Sequence, residues 1–248
     1  MAPAAPPHPA ISLRDAVALS GRFPLLAGVD LEVPPGETVL LEGANGAGKT
    51  SLLRVCAGLV PLASGRVRVF GLDPVSRRTE VRRRVGLLAH SGHLYEDLTV
   101  RENVRFAVRA AGAPADRVDP ACEQLGLTGR LLRTRASKLS AGQRRRVSIA
   151  VLAARRPELW LLDEPHAGLD RSARAILDQL VAEATRDGAT VLIASHESRS
   201  VEPLAARAIT LSGGRVVGER GLVPVEGDAH RPPVATTAGS KGRVAHVA

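Results

Sequence analysis

The chain has 248 residues, of which 44% are hydrophobic and 24% are charged, and its formal net charge is +9 at pH 7. This length allows one large domain or two smaller ones, with the residue balance of a globular protein. Aromatic residues make up only 2% of the chain and the arginines are scattered, which argues against a base-stacking surface for nucleic acid. Cys56 and Cys122 have no metal-ligand spacing and predict reduced, structural thiols in a cytosolic protein.

The two ends of the chain are expected to lie outside the fold. Residues 1–9 are rich in Pro and Ala and lack the cationic start and apolar centre of a secretory signal, so they predict a flexible leader. Residues 223–248 mix Pro, Gly, Ala, Thr and His without periodicity and predict a disordered tail. No apolar run reaches the ~20 residues that a membrane span needs. We therefore expect a cytoplasmic protein that reaches a membrane only through other subunits.

Short aliphatic runs alternate with helical patterns along the rest of the chain. Each run is bounded by Gly, charge or turn signals, which is typical of buried strands in a parallel α/β sheet. The runs are Thr38–Leu41, Val67–Phe70, Val85–Ala89, Leu159–Leu162 and Thr190–Ala194. Further on, Ile209–Leu211 and Arg215–Val217 flank a Gly213-Gly214 turn and predict a hairpin.

The stretch from about residue 99 to residue 139 has helical spacing and no comparable aliphatic run. Its helical pattern is broken at Gly112–Pro114 and at Gly126, which predicts an inserted helical subdomain. Just before it, Arg82-Arg83-Arg84 precedes a predicted strand. A solvated helix face is the expected role of these arginines, with contact to acidic lipid or to a partner as the alternative.

A glycine-rich segment follows the run Thr38–Leu41 and precedes a helical pattern over Ser51–Ala57. Its sequence is Gly43-Ala44-Asn45-Gly46-Ala47-Gly48-Lys49-Thr50. This is the phosphate-loop pattern, in which glycines let backbone N–H groups turn inward around phosphate oxygens and the next helix begins against the same phosphates. A glycine-rich turn that carries Lys and Thr by coincidence is the alternative, and the strand and helix around it argue against that reading. The pattern predicts nucleotide binding by this loop and by Ser51, with Lys49 on the phosphates and Thr50 on Mg²⁺.

A second chemical element ends the aliphatic run Leu159–Leu162, where Asp163 and Glu164 follow directly. In open α/β sheets, ligands bind at the carboxyl ends of strands, so both carboxylates are expected at the ligand edge. Asp163 is predicted to orient Mg²⁺ opposite Thr50, and Glu164 to act as the general base on water. The alternative is a helix start before Pro165, which explains the acidic residues but not the apolar strand that they cap.

Between these elements lies Leu139-Ser140-Ala141-Gly142-Gln143, which alone indicates no more than a helix capped by Ser140. Together with the other motifs it makes the chain resemble the ABC (ATP-binding cassette) nucleotide-binding domain family, whose signature is Leu-Ser-x-Gly-Gln. Asp170 matches the D-loop of that family and His196 its switch histidine. The motifs follow the family's order over about residues 11–220. Arg144-Arg145-Arg146 stands where the family commonly has basic residues and predicts no special partner.

The resemblance implies a P-loop NTPase fold of the ABC type. Its sheet would be mixed and mostly parallel, with a helical subdomain over about 92–150 and an N-terminal antiparallel β region. The nucleotide-binding domain would cover 10–222. ATP and Mg²⁺ are the implied cofactors. Transmembrane permease subunits are the implied partners, which would hold this ATPase at the cytoplasmic face of the cell membrane.

The resemblance also implies that two copies close head to tail. Each ATP would lie between the phosphate loop of one copy and Ser140, Gly142, Gln143 and Asp170 of the other. His196 would contact the γ-phosphate and, with Glu164 and Lys49, complete the catalytic set. A helix cap for Asp170 and a satisfied loop histidine for His196 stay open as alternatives.

The chain departs from the family pattern at two positions. His90 stands where the family usually has a glutamine that senses Mg²⁺ and the membrane partner, and an imidazole can accept a proton or bind a metal. A strand cap is the alternative role of His90. Phe23 is the candidate for stacking on adenine, with simple hydrophobic packing as the alternative.

With histidine at position 90, the chain resembles one subfamily, the ATP-binding subunits of the haem exporter in cytochrome c maturation. The resemblance extends to Leu98-Thr99 and Glu102-Asn103. The resemblance implies a role in haem export or holocytochrome c assembly. Exporters of drugs, lipids or antibiotics use the same cassette and are the main alternative. Soluble ABC proteins that act on DNA or the ribosome carry coiled-coil insertions or a second cassette, which this chain lacks. An ATP-holding module without hydrolysis is disfavoured by Glu164 and His196.

Overall fold

The computed structural model describes residues 8–89, 94–196 and 198–222. Its strands are β1 (Ile11–Ser20), β2 (Phe23–Val33), β3 (Thr38–Glu42), β4 (Ser64–Val69), β5 (Val85–Leu88), β6 (Leu159–Asp163), β7 (Thr190–Ala194), β8 (Arg207–Ser212) and β9 (Arg215–Gly221). Its α-helices are α1 (Lys49–Cys56), α2 (Arg78–Arg84), α3 (Val100–Ala111), α4 (Val118–Gln124), α5 (Ala141–Arg155), α6 (Arg171–Arg186) and α7 (Ser198–Val201).

The larger sheet has the strand order β5-β6-β7-β3-β8-β9. Strands β5, β6, β7, β3 and β8 pair in parallel, and β9 pairs antiparallel with β8. Every residue of β6 and β7 is buried, which explains why these strands are continuous aliphatic runs rather than alternating patterns. The predicted hairpin is confirmed as β8–β9, and both Gly213 and Gly214 have the positive φ that a tight turn of this kind requires.

The smaller sheet is antiparallel, with the order β2-β1-β4, and confirms the predicted N-terminal antiparallel region. The placement of the run Val67–Phe70 in the parallel sheet is wrong, because this segment forms β4 and pairs with β1. Val67 and Val69 are buried while the arginines beside them are more exposed, and such alternation is typical of an antiparallel sheet with one solvated face. The strand ends at Val69, and Phe70 takes a φ of 49°.

The described residues between 94 and 155 fold mainly as helices α3, α4 and α5. Thr99 begins α3 with a capping box to Glu102, and Gly112 ends it in the left-handed conformation, as the predicted break at Gly112 requires. Buried side chains of all three helices share one hydrophobic core with one face of the larger sheet. This core fixes α5 against β5 and β6, and through them against the strand ends that carry the site.

A second hydrophobic core joins the smaller sheet, α1 and the opposite face of the larger sheet. Cys56 lies in this core and Cys122 in the first, and both are free and buried. Burial raises the pKa of the Cys56 thiol to about 12 and that of Cys122 to about 11, so both remain protonated near neutrality. Among the described residues, no helix is long and apolar enough to cross a membrane.

Candidate functional site

The phosphate-loop motif connects β3 to α1 and depends on glycine at two close approaches. Gly43 has a φ of 138°, and a Cβ atom there would lie 2.3 Å from the carbonyl oxygen of Leu211. Gly48 has a φ of 107°, and its Cβ would lie 2.9 Å from the carbonyl oxygen of Leu25. A side chain at either position collides with backbone, so the sequence takes glycine where the loop turns against β8 and β2.

Lys49 begins α1 and folds back over the loop. Its Nζ donates to the carbonyl oxygens of Gly43 at 2.6 Å and Ala44 at 3.2 Å. The side chain is buried, which keeps the ammonium group close to the loop and the start of the helix. Positive charge and the helix N-terminus thus act together in one place, where they attract an anion.

Thr50 and Asp163 meet, as the sequence predicts for the two Mg²⁺-binding side chains. The Thr50 hydroxyl donates to the Asp163 carboxylate, with both oxygens 3.0 Å away. Asp163 is the last residue of β6, is buried, and lies at the carboxyl end of the parallel strands. A hydroxyl and a carboxylate are hard oxygen ligands that fit Mg²⁺. Within the described ranges no group of three or more His, Cys, Asp or Glu side chains is placed to hold a metal ion.

Glu164 and His196 lie side by side at the ends of β6 and β7. The His196 backbone N–H donates to Glu164 Oε1 at 3.0 Å, and His196 Nδ1 lies 2.8 Å from Oε2. Glu164 has a φ of 45°, an unfavourable conformation outside glycine, and its own N–H donates to the carbonyl oxygen of Ala194 at 2.9 Å. Backbone strain of this kind is concentrated at functional sites. Here it turns the carboxylate toward the imidazole.

The signature segment begins α5. Ser140 and Gln143 form a capping box, in which each side chain binds the backbone N–H of the other residue at 3.2 and 3.0 Å. Gly142 packs against the next loop, because a Cβ there would lie 3.2 Å from the carbonyl oxygen of Gly168. The helix-cap interpretation of Ser140 is therefore correct for the local structure, and a phosphate contact in a second copy remains a prediction.

Asp170 caps α6 and is also tied to the signature helix. Its carboxylate accepts from the Ala173 backbone N–H and the Ser172 hydroxyl, each at 2.9 Å, and pairs with Arg146 of α5. These hydrogen bonds, with the nearby guanidinium, hold the pKa of Asp170 below its ordinary value. The cap alternative is thus confirmed, and contact with a second copy remains a prediction.

Two predicted positions, His90 and Phe23, stay untested as nucleotide-site residues. His90 lies outside the described residues. Phe23 begins β2 with 79% of its surface exposed, so the packing alternative for this ring is wrong, and adenine stacking remains a prediction.

Arg145 bonds to backbone groups within the chain, a role that was not predicted from the sequence. The residue is buried, and its guanidinium donates to the carbonyl oxygens of Ala89, Asp163 at 3.0 Å and Glu164 at 2.7 Å. A signal was present in the sequence, since Arg145, Ile149 and Leu152 share the i, i+4, i+7 spacing of one helix face. An arginine on an otherwise apolar, buried face must find acceptors inside the protein.

The family described as ABC transporter matches residues 26–167. The chain belongs to this family. It is 39% identical over 199 residues to the cytochrome c biogenesis ATP-binding export protein CcmA of Paraburkholderia xenovorans, covering 73% of this chain and 86% of the relative. It is 40% identical over 209 residues to the phosphonates import ATP-binding protein PhnC of Trichormus variabilis, covering 79% and 85%.

Solved structures agree with this assignment. The fold is similar to the dimeric ATP-binding cassette MJ0796 in a post-hydrolysis state bound to ADP and Pi, with a TM-score of 0.78 and 25% identity. That likeness covers 86% of this chain and 99% of the solved chain. The protein is therefore an ABC ATPase, an ATP-binding subunit of a transporter, with the predicted mixed, mostly parallel sheet.

Proposed function

We propose that this ATPase drives a separate membrane subunit in haem export or cytochrome c maturation, and that Glu164 is the base in ATP hydrolysis. The contact between Glu164 and His196 is the observation that supports Glu164 as the base. The similarity to CcmA and the histidine at position 90 support haem as the cargo. The four side chains from the Thr50–Asp163 and Glu164–His196 pairs come from α1 and from the ends of neighbouring parallel strands, where α/β sheets bind their ligands.

The proposed chemistry assigns each side chain one task. Lys49 and the loop amides hold the β- and γ-phosphates, and Thr50 and Asp163 hold Mg²⁺, which neutralises charge on the phosphates when bound. Glu164 takes a proton from the attacking water as the water oxygen bonds to the γ-phosphorus and the bond to ADP breaks. His196, held by Glu164, positions the γ-phosphate. A general base of this kind contributes roughly 10²- to 10⁴-fold to the rate.

A second copy completes each site in this proposal. The N-terminus of α5 and the exposed Ser140 lie at the surface, and helix N-termini bind phosphate. Ser140, Gly142, Gln143 and Asp170 of one copy would close over ATP bound to the loop of the other. Solved relatives described as dimeric support this arrangement.

The membrane partner is proposed to dock in the groove between α2 and α3. Tyr95 and Phe106 are 55% and 48% exposed there and contact each other edge to face, with ring centroids 4.8 Å apart. Arg82 and Arg83 line the same groove, so apolar and positively charged surface lie together. A short amphipathic segment with carboxylates, supplied by the membrane subunit, fits this surface. Docking of this kind would place the ATPase at the cytoplasmic face of the membrane.

The cargo is the part of the proposal with a specific rival. The identity to the import protein PhnC, 40%, is as high as the identity to CcmA, 39%, so sequence identity alone supports a transporter of another substrate equally well. An exporter of a drug, lipid or antibiotic would also use the same ATPase chemistry. His90 favours haem as the cargo, because the haem-export subfamily resembles this chain in having histidine where other members of the family usually have glutamine.

The test is purification of the full-length chain from its native host with its membrane subunits, followed by an absorbance spectrum for porphyrin. Glu164→Gln is the matched preparation, because it should hold the complex in its ATP-bound state. We expect membrane subunits of cytochrome c assembly, together with haem, to copurify with the wild-type chain and with Glu164→Gln. Recovery of a solute-import permease, with no porphyrin in either preparation, would replace the haem role with import.

A further inference from the structure

We infer that Arg145 is a positioning residue for ATP hydrolysis, which fixes the backbone at Asp163 and Glu164 to the signature helix. Its guanidinium bridges the carboxyl ends of two neighbouring strands. One acceptor is Ala89, directly after β5, and the other two are Asp163 and Glu164, at the end of β6. The inference rests on the proposed role of Glu164 as the base.

The position of these hydrogen bonds matters because β5 and β6 stop pairing just before them. The parallel register of β5 and β6 ends with Leu88 beside Leu162. Beyond that pair, Arg145 donates to the backbone of both segments, at Ala89 and at Glu164. A single planar guanidinium therefore sets the spacing between Ala89 and the backbone that carries both carboxylates.

Helix α5, which bears Arg145, packs closely against β5. On β5, a Cβ at Gly86 would lie 2.4 Å from Leu152 of α5, so the helix packs directly on the strand backbone. The same helix begins at the signature Ser140. If α5 shifts when its signature segment contacts ATP bound to a second copy, Arg145 would move with the helix and displace the backbone of Glu164, the proposed base.

The guanidinium of Arg145 is buried, and its positive charge lies close to the negative charges of Asp163 and Glu164. Within the part of the chain that the structure describes, its Nε has no hydrogen-bond acceptor. Burying an incompletely paired cation is costly, and the three carbonyl acceptors offset part of that cost.

Arg155 provides a matched control at the other end of the same helix. It is also buried, its Nε also has no acceptor among the described residues, and its guanidinium donates to Arg82 at 2.8 Å and Val85 at 3.0 Å. Those carbonyl groups lie at the amino end of β5, away from Asp163 and Glu164. Removal of Arg155 therefore removes two backbone contacts, compared with three for Arg145, without touching the proposed base.

The experiment compares Arg145→Gln, Arg145→Lys and Arg155→Gln in the full-length chain, with Glu164→Gln as the reference for lost chemistry. We expect Arg145→Gln to lower kcat roughly 10- to 100-fold while the Kd for ATP changes less than about 3-fold, because a misplaced catalytic group affects turnover more than binding. Arg145→Lys should recover part of kcat, since it keeps the charge but not the planar fork. Arg155→Gln should lose a similar amount of thermal stability and keep its basal kcat.

Hydrogen exchange gives a readout that does not depend on turnover. Backbone amides in peptides covering residues 159–166 should exchange faster in Arg145→Gln, or in Arg145→Lys if the glutamine variant does not fold, and should be unchanged in Arg155→Gln. Parallel losses in both arginine variants, or unchanged kcat in Arg145→Gln, would overturn the inference. Wild-type turnover by Glu164→Gln would instead overturn the proposed function and leave the exchange result to test the positioning contact by itself.

Discussion

The phosphate loop and the signature segment satisfy their polar groups in different ways. Lys49 is buried and bonded to its own loop, and Thr50 is bonded to Asp163, so the loop half of the site is assembled within one chain. Ser140 and Gln143 instead bond to each other at an exposed helix start. The first region is thus assembled within one chain, and the second is an exposed helix start to which we propose that a second copy binds. Changes in the first region should abolish activity within a chain, and changes in the second should act between chains.

The largest effect is expected from Glu164→Gln in the loop half of the site. Glutamine keeps the size of the side chain but replaces one acceptor oxygen with an NH2 donor and cannot take up a proton, so kcat should fall at least about 10²-fold with ATP binding retained. The variant should also accumulate as an ATP-bound dimer. Steady-state ATPase assays and light scattering with ATP would measure both effects. Turnover at the wild-type rate would remove Glu164 from the chemistry.

A smaller effect on stability should separate two glycines within the same loop. Gly43→Ala places a Cβ 2.3 Å from the Leu211 carbonyl oxygen, whereas a Cβ at Gly46 has nothing within 4 Å. Gly46→Ala should therefore cost only the left-handed conformation, about 1–2 kcal/mol of unfolding free energy. Gly43→Ala should cost clearly more and also weaken ATP binding. Chemical denaturation of both variants checks this order, and equal losses would show that the loop is not packed against β8 as described.

The smallest effect is expected from His90→Gln, which restores the residue usual in the family. ATPase activity should stay within about 3-fold of the wild type, because glutamine offers an oxygen ligand in place of the imidazole nitrogen. Basal ATPase measured against Mg²⁺ concentration is the test. Complete loss of activity would show that the imidazole has chemistry of its own.

The sequence predicted the parts of the fold whose residues meet only local requirements. The strands β3, β6 and β7 are buried on both faces, so their aliphatic runs identified them almost to the residue. The segment of β4 was found as a strand but placed in the wrong sheet. Its partner, β1, is about fifty residues away, and nothing in the local pattern specifies which distant strand pairs with it.

The site shows the same division. The position of Asp163 at a strand end was enough to foresee that it would meet Thr50, because ligands bind at the carboxyl ends of parallel strands. The placement of His196 with Glu164 came from the family resemblance. The helix face that Arg145 shares with Ile149 and Leu152 indicates its burial, but not its acceptors, because backbone carbonyl groups have no signature in the sequence. The positive φ of Glu164 was equally invisible, since it results from the surroundings rather than from the preference of the residue.

A complementation experiment tests most directly whether two chains share each site. Lys49→Ala disables the loop half, and Ser140→Asp disables the signature half by adding a negative charge near phosphate while keeping a good helix cap. Each variant alone should be inactive. Mixed in equal amounts, they should recover up to about a quarter of the wild-type ATPase rate, because half of the dimers are mixed and each of those has one intact site. A mixture as inactive as its components would contradict a site completed by a second copy.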